Sequence, residues 1–405
     1  MPPATARPEA AAGAAAGPPH TGPGLYVHIP FCASRCDYCA FATWTDRAHL
    51  AGAYTDACIA DYETAAADLG RVSTVFLGGG TPSQLPPADL VRLISAIDVD
   101  DGAEVTVEAN PEDVTDAWLE ACKSAGVTRI SLGAQSFDQV VLKGLGRLHS
   151  ASAIAPAVAA IGRAGISRCS IDLIYGGAGE TDASWRRTLR AALDLEPRPT
   201  HMSLYALTVE KGTPLWRDPS RHPDDDIQAR RYETTEQVLS SAGFRWYEIS
   251  NWAVAGHESL HNLNYWLQGD YLGIGCAAHS HRTGRRWWNV RTPDRYIELV
   301  GKGSSPVASS EDLTPEVRGV EALELLIRTR WGVPESSLSS ALQSTPELRR
   351  LVEVSGGRVV LSLAGRMLAN EVACRLDPQP SQIPQETLRY TPLLSSSPWP
   401  SRSSG

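Results

Sequence analysis

The segment Cys32-Ala-Ser-Arg-Cys36-Asp-Tyr-Cys39 places three thiols within eight residues, directly after the apolar run LYVHIPF. Thiolates at such spacing bind iron–sulfur clusters or zinc, and Cys36 to Cys39 alone has the spacing of a redox dithiol. Zinc needs a fourth Cys or His, and neither His28 nor His49 stands at a usual knuckle spacing. A dithiol would leave Cys32 without a task. A cube of four irons and four sulfurs fits best, because three thiolates leave one iron open to a small chelating molecule. The other cysteines, Cys58, Cys122, Cys169, Cys276 and Cys374, have no near neighbours and read as small buried hydrophobes.

The ligands of such a site must be held by a folded core, and the composition permits one. Of 405 residues, 42% are hydrophobic and 20% charged, the balance of an ordinary globular chain. The net charge of −9, with Lys and Arg scattered, excludes a nucleic-acid binder that tracks phosphates. No apolar run reaches the about 18 residues of a membrane span, and the N-terminus lacks a secretory pattern, so the expected location is cytoplasmic, without stable membrane insertion. In a reducing compartment the cysteines serve as ligands or core residues, not as disulfides.

Short apolar runs rich in β-branched residues recur at 25–29, 73–78, 104–109, 129–133, 168–175 and 201–207. Stretches with apolar residues three and four apart separate them, notably at 48–69, 88–97 and 152–166. The alternation predicts βαβ units and a parallel sheet, an α/β fold with about six strand–helix repeats. Polar clusters follow the strands, where such folds place ligands: Gly78-Gly79-Gly80-Thr81-Pro82 after the second, Glu108 at the end of the third and Gln135 at the end of the fourth. The glycine run is a tight turn or a place where backbone approaches a ligand. Asp172, inside the fifth strand, needs a salt-bridge partner or a functional task.

Cys-x3-Cys-x2-Cys with Tyr38 before the last cysteine resembles the signature of the radical S-adenosylmethionine (SAM) superfamily. Together with YVHIPFC, GGGTPS, VEANPED, SLGAQSFD and IDLIYG, it resembles the branch containing oxygen-independent coproporphyrinogen III oxidase, from about Tyr26 to Leu376. The resemblance implies a partial (β/α)6 TIM-like barrel with a small helical C-terminal domain. It further implies that Cys32, Cys36 and Cys39 hold a [4Fe–4S] cluster, with SAM as the missing ligand of the open iron. Tyr26, Tyr38, Gly79, Gly80, Thr81, Glu108, Gln135, Arg147, Asp172 and Ala206 would line the SAM site.

Residues 261–266, His-Asn-Leu-Asn-Tyr-Trp, are similar to an element that the HemW group of haem chaperones carries and that is associated with haem binding. The implied haem residues are His261, Asn262, Tyr265 and Trp266, with an imidazole on the iron and aromatic rings against the macrocycle. His257, His279 and His281 are nearby alternatives as ligand, and outside that resemblance His261 reads as a satisfied loop histidine. The implied function is a haem chaperone that delivers haem to acceptor haemoproteins, with a homodimer suggested by the same likeness. The rival is an oxygen-independent coproporphyrinogen III oxidase or another radical SAM enzyme of porphyrin metabolism, so enzyme activity stays open. Against the oxidase, Phe41 stands where that enzyme has a fourth cysteine, and the Ala/Pro leader is a poor substitute for its ordered N-terminal cover. A catalytically silent iron–sulfur scaffold is the third reading. The expected organisation is a disordered leader over 1–22, the barrel over 23–250, a connector with the haem element over 251–310, the C-terminal helical domain over 311–376 and a Pro/Ser-rich tail over 377–405.

Overall fold

A computed structural model describes residues 21–376. The tail expected over 377–405 and all but the last two residues of the expected leader lie outside them. The alternating part runs β1 (Gly24–Ile29), α1 (Ala51–Leu69), β2 (Val72–Gly79), α2 (Pro87–Ser95), β3 (Val99–Ala109), α3 (Asp116–Ser124), β4 (Arg129–Gln135), α4 (Gln139–Gly144), α5 (Ile154–Arg163), β5 (Arg168–Tyr175), α6 (Asp182–Leu193), β6 (His201–Ala206) and α7 (Asp225–Ser241). Strands β1 to β6 pair in parallel in sequence order, the parallel α/β sheet of about six repeats that the alternation predicts, in the partial barrel that the resemblance implies.

Side chains alternate across each strand, and the alternation sorts the sequence into two walls. Leu25, Val27 and Ile29 of β1, Val75 and Leu77 of β2, Val105 and Val107 of β3 and Ile130 and Leu132 of β4 are buried on the helix-covered side. Each such side chain contributes about 1.5–3 kcal/mol. The opposite phase faces the interior and is polar or aromatic. Register aligns Gly24 with Thr74 and Thr74 with Glu104, then Thr106 with Arg129, Ser131 with Ser170 and Ser170 with His201. A barrel whose interior is this polar is not filled by its own strands alone.

The segment expected as a connector is instead part of the sheet. After β7 (Arg245–Glu248), which still falls in the expected barrel span, it supplies β8 (Asn251–Ala253), α8 (Leu260–Trp266), β9 (Tyr271–Ile274), β10 (His279–Arg282), β11 (Arg285–Asn289), α9 (Pro293–Gly301) and most of β12 (Val307–Asp312). The full sheet has twelve strands in the order β12-β11-β10-β9-β1-β2-β3-β4-β5-β6-β8-β7, with β9 parallel to β1. These strands are three to six residues long and several carry charges, so no apolar alternation marks them.

Between β8 and β9, α8 caps the amino ends of the barrel strands. Its first turn is held by Glu104 Oε1, which accepts from the backbone of Leu260 (2.9 Å) and His261 (3.3 Å), and Ser259 accepts from Asn262 N at 3.3 Å. Glu104 in turn receives Arg129 Nη2 at 2.9 Å, and the same nitrogen donates to the carbonyls of His257 and Glu258 at 3.0 and 3.1 Å. Thr21, within the span read from the sequence as leader, is buried and donates to Asn264 Oδ1 at 2.9 Å.

The C-terminal region is not wholly helical. With α10 (Pro315–Leu326), α11 (Ser339–Ser344), α12 (Leu363–Met367) and α13 (Ala369–Ala373) it contains an antiparallel sheet of β13 (Val333–Pro334), β14 (Val352–Ser355) and β15 (Arg358–Leu361). The hairpin turns at Gly356-Gly357, whose φ values of 60° and 75° are those of a turn matching strand twist. Its core of Leu323, Ile327, Val333, Val359 and Leu361 is separate from the barrel core. Among the described residues no helix is long and apolar enough to cross a membrane.

Candidate functional site

The thiol loop leaves the carboxyl end of β1 and is closed at its base by Phe31 and Trp44: Cys32 N donates to Trp44 O at 3.1 Å, and Trp44 N to Pro30 O at 2.8 Å. Its tip is pinned through Asp37, whose backbone N donates to Leu145 O (3.2 Å), whose carbonyl receives Leu215 N (2.9 Å) and whose carboxylate receives Arg221 (2.7 Å). His28 holds the far limb, hydrogen-bonded to Ala42 O at 2.9 Å and to Tyr26 Oη at 3.0 Å. Cys32, Cys36 and Cys39 all face one cavity of about 490 Å³. Thr81 donates to Cys32 Sγ at 3.5 Å and Arg147 to Cys36 Sγ at 3.3 Å, and such donors favour a thiolate.

Among the described residues no three Cys, His, Asp or Glu side chains gather at one ion-sized point. A tetrahedral zinc requires that convergence, whereas a cube takes each thiolate on a different iron. Three thiols of one loop facing one cavity are a donor set that fits such a cube. Burial pushes the Cys32 and Cys39 thiols up, so the metal's own charge must supply the drive to deprotonate them.

Every residue expected to hold SAM except Tyr26 lines this cavity: Tyr38, Gly79, Gly80, Thr81, Glu108, Gln135, Arg147, Asp172 and Ala206. Tyr26 lines the adjoining cavity. Glycine at 79 is required twice over, since its φ is 114° and a Cβ there would stand 2.4 Å from the His28 ring. At Gly80 a Cβ would lie 2.8 Å from the carbonyl oxygens of Ile29 and Phe31. The β4 ladder shifts register between Leu132 and Gln135, and Gln135 takes φ 60°, a bulge that aims its side chain into the cavity.

Two of the carboxyls lining this cavity, Glu108 and Asp172, are desolvated and have no ion-pair partner among the described residues. Glu108 accepts only from Gly79 N at 3.2 Å, and Asp172 is held by the hydroxyls of Ser131 (2.9 Å) and Ser170 (3.2 Å). Desolvation, with the Asp172 charge nearby, pushes Glu108 up from 4.5 to about 8, and burial raises Asp172 as well. A site that destabilises two carboxylates is complementary to a cationic guest, which would favour the ionised forms. SAM, with its sulfonium and amino group, meets that requirement.

The shift has a testable sign. Because the folded protein holds Glu108 neutral up to about pH 8, its contribution to stability is full below 4.5 and is lost as pH rises through that window. In ligand-free protein, Glu108→Gln is expected to flatten the fall in unfolding free energy between pH 5 and 8 by roughly 1–3 kcal/mol, the lower end reflecting water in the cavity. Urea unfolding of both proteins at the two pH values checks it.

His28 and Asn110 are site residues that the sequence did not single out. Asn110 receives Arg147 and joins it to Thr81, so it ties the glycine turn to the cluster side. His28 was detectable as the inward-phase neighbour of Tyr26.

The expected haem residues do not form one exposed patch. His261 is fully buried, hydrogen-bonded to Thr74 Oγ1 at 2.9 Å and Tyr265 Oη at 2.7 Å and stacked on Phe76, with burial lowering it to about 3. Both ring nitrogens are engaged inside the barrel, which leaves none facing a ligand. Asn262 faces a polar cavity of about 210 Å³ in the barrel interior, Trp266 is half-buried, and Tyr265 lines a separate cavity of about 690 Å³. His281 is likewise engaged, with Gly269 O at 3.0 Å and Gly284 N at 3.3 Å. His257 is half-buried and lines none of these cavities, whereas His279 is exposed and lines the cavity of about 690 Å³.

A sequence model of the Radical SAM superfamily matches residues 26–192. A heme chaperone HemW of Mycobacterium tuberculosis is 40% identical over 366 residues, covering 86% of this chain and 93% of that protein. The heme chaperone HemW of Bacillus subtilis is 31% identical over 370 residues, covering 86% and 97%. The solved structure of coproporphyrinogen III oxidase (HemN) from Escherichia coli superposes with a TM-score of 0.76 at 21% identity, covering 88% of this chain and 90% of that one, which establishes a common fold.

Proposed function

Because the chain belongs to the HemW heme chaperone family within the radical SAM superfamily, we propose that it binds a [4Fe–4S] cluster, SAM and haem and hands haem to acceptor haemoproteins. In this reading Cys32, Cys36 and Cys39 hold the cluster, Arg147 and Thr81 stabilise its sulfurs, and Gly79, Glu108 and Asp172 receive the cationic part of SAM. When bound and reduced, the cluster would supply the electron for cleaving a sulfonium bond. The chain's own residues position that chemistry and restrict water. The observation that carries the reading is the pair of cation-free carboxyls facing the thiol loop across one cavity, on a chain this similar to named haem chaperones.

The same SAM cavity would also serve the oxidase, so the feature that separates the two readings is Phe41. Phe41 is 67% exposed at the junction of the two larger cavities, where a thiol would be needed to match that enzyme. The deciding experiment is anaerobic cluster reconstitution followed by haem titration and by transfer to an apo-haemoprotein, with coproporphyrinogen decarboxylation assayed on the same sample. Saturable haem binding with transfer, and no decarboxylation, is expected. Decarboxylation without haem transfer would overturn the proposal.

A further inference from the structure

The cavity of about 690 Å³ lies beside the SAM cavity and shares Ala40, Phe41, Gly79 and Glu108 with it. Its size is within the about 300–1,000 Å³ of pockets that enclose cofactor-sized ligands. One wall is aromatic: Tyr265 meets Tyr271 edge to face at 4.6 Å between ring centres. Opposite in character, β10 presents His279, β11 presents Arg286, and the segment leading into α9 presents Arg291.

These three differ in what they have free. Arg286 is already paired with Glu311 (2.8 Å) and Glu321 (3.1 Å). Arg291 has no ion-pair partner among the described residues, although it lines the cavity. His279 is exposed to the cavity, and its ring rests on Trp288 at 5.6 Å with both nitrogens unbonded among the described residues. Of the three histidines that line this cavity, His28 and His281 have both nitrogens engaged, whereas His279 has both unbonded among the described residues and its ring steadied by a neighbour. An apolar-walled cavity with an available imidazole and an unpaired guanidinium has the donor set for an iron porphyrin bearing carboxylates.

Resting on the haem-chaperone reading, we propose that this cavity is the haem pocket, that His279 supplies the nitrogen ligand to the iron, and that Arg291 receives a propionate. Coordination uses the lone pair of the neutral imidazole and displaces no proton. The desolvation and the Arg286 charge that lower His279 below its ordinary value favour that neutral form. The His-Asn-x-x-Tyr-Trp element then acts one step removed: His261 fixes Tyr265, and Tyr265 forms the wall.

The test is haem titration into cluster-reconstituted wild type, His279→Gly, His261→Ala and, as a control, His257→Ala, read by absorption and electron paramagnetic resonance. Wild type is expected to show a histidine-ligated spectrum. His279→Gly should lose that signature and bind haem at least tenfold more weakly, with added imidazole restoring the spectrum. His261→Ala should weaken binding but keep the ligand signature, and His257→Ala should change neither. A wild type that binds no haem defeats the chaperone reading itself. A wild type that binds haem, with His279→Gly unchanged in affinity and spectrum, overturns this assignment while leaving that reading standing. Because His279 is exposed, retention of the cluster spectrum in His279→Gly verifies the fold.

Discussion

Cys36→Ala is expected to reduce the anaerobically reconstituted protein from about four irons per chain to well under one, with parallel loss of acid-labile sulfide and of SAM binding. Three thiols face the cavity, so the loss of one leaves the cube with two protein ligands, and Arg147 loses the sulfur it donates to at 3.3 Å. Cys32→Ala and Cys39→Ala should behave alike. Cys58→Ala, a change at a fully buried thiol on α1 away from the loop, should leave iron and sulfide content unchanged. Iron and sulfide analysis settles the matter, and zinc recovered at these thiols, or iron retained in Cys36→Ala, would remove the basis for a SAM site.

The second large effect concerns stability. Arg129→Met is expected to cost about 3 kcal/mol, the low end for a broken buried pair, because Glu104 then keeps only the one-third-exposed Arg168, 3.5 Å away, as a cation. Arg129 and Glu104 side chains are 1% and 2% exposed, and the pair joins β3 and β4 to the start of α8. Against a total of about 5–15 kcal/mol for a typical domain, that loss is severe. Adding Glu104→Gln to Arg129→Met should recover part of it, since a neutral amide can still accept from the α8 backbone. Equilibrium unfolding in urea of both variants measures the difference. An Arg129→Met variant within about 1 kcal/mol of wild type would mean that α8 is held by other contacts.

How much of this was legible in the sequence follows from how locally each feature is determined. The six parallel strands could be read because alternation and β-branched composition are short-range signals, and the thiol loop and glycine turn because their residue types are rare at such spacing. β9 was not legible as a sheet member, since Tyr271 to Ile274 pairs with β1 nearly 250 positions away and carries no pattern of its own. The role of α8 was hidden for the same reason. Its seven residues, LHNLNYW, mix polar and aromatic side chains with only Leu260 and Leu263 as aliphatic anchors, too short a run to show a periodic apolar face. Whether His261 meets a ligand or a threonine is decided by Thr74, 187 residues earlier.

Phe41, Ala40, Gly79 and Glu108 form a partition common to two chambers. A guest that moves this partition from one side alters the shape, and through the Glu108 carboxyl the charge, offered to the guest on the other. Thermodynamic reciprocity then requires that the two guests tune each other's affinity by the same factor, whichever arrives first. The chain thus contains, in four residues, the means for the state of one compartment to govern retention in its neighbour.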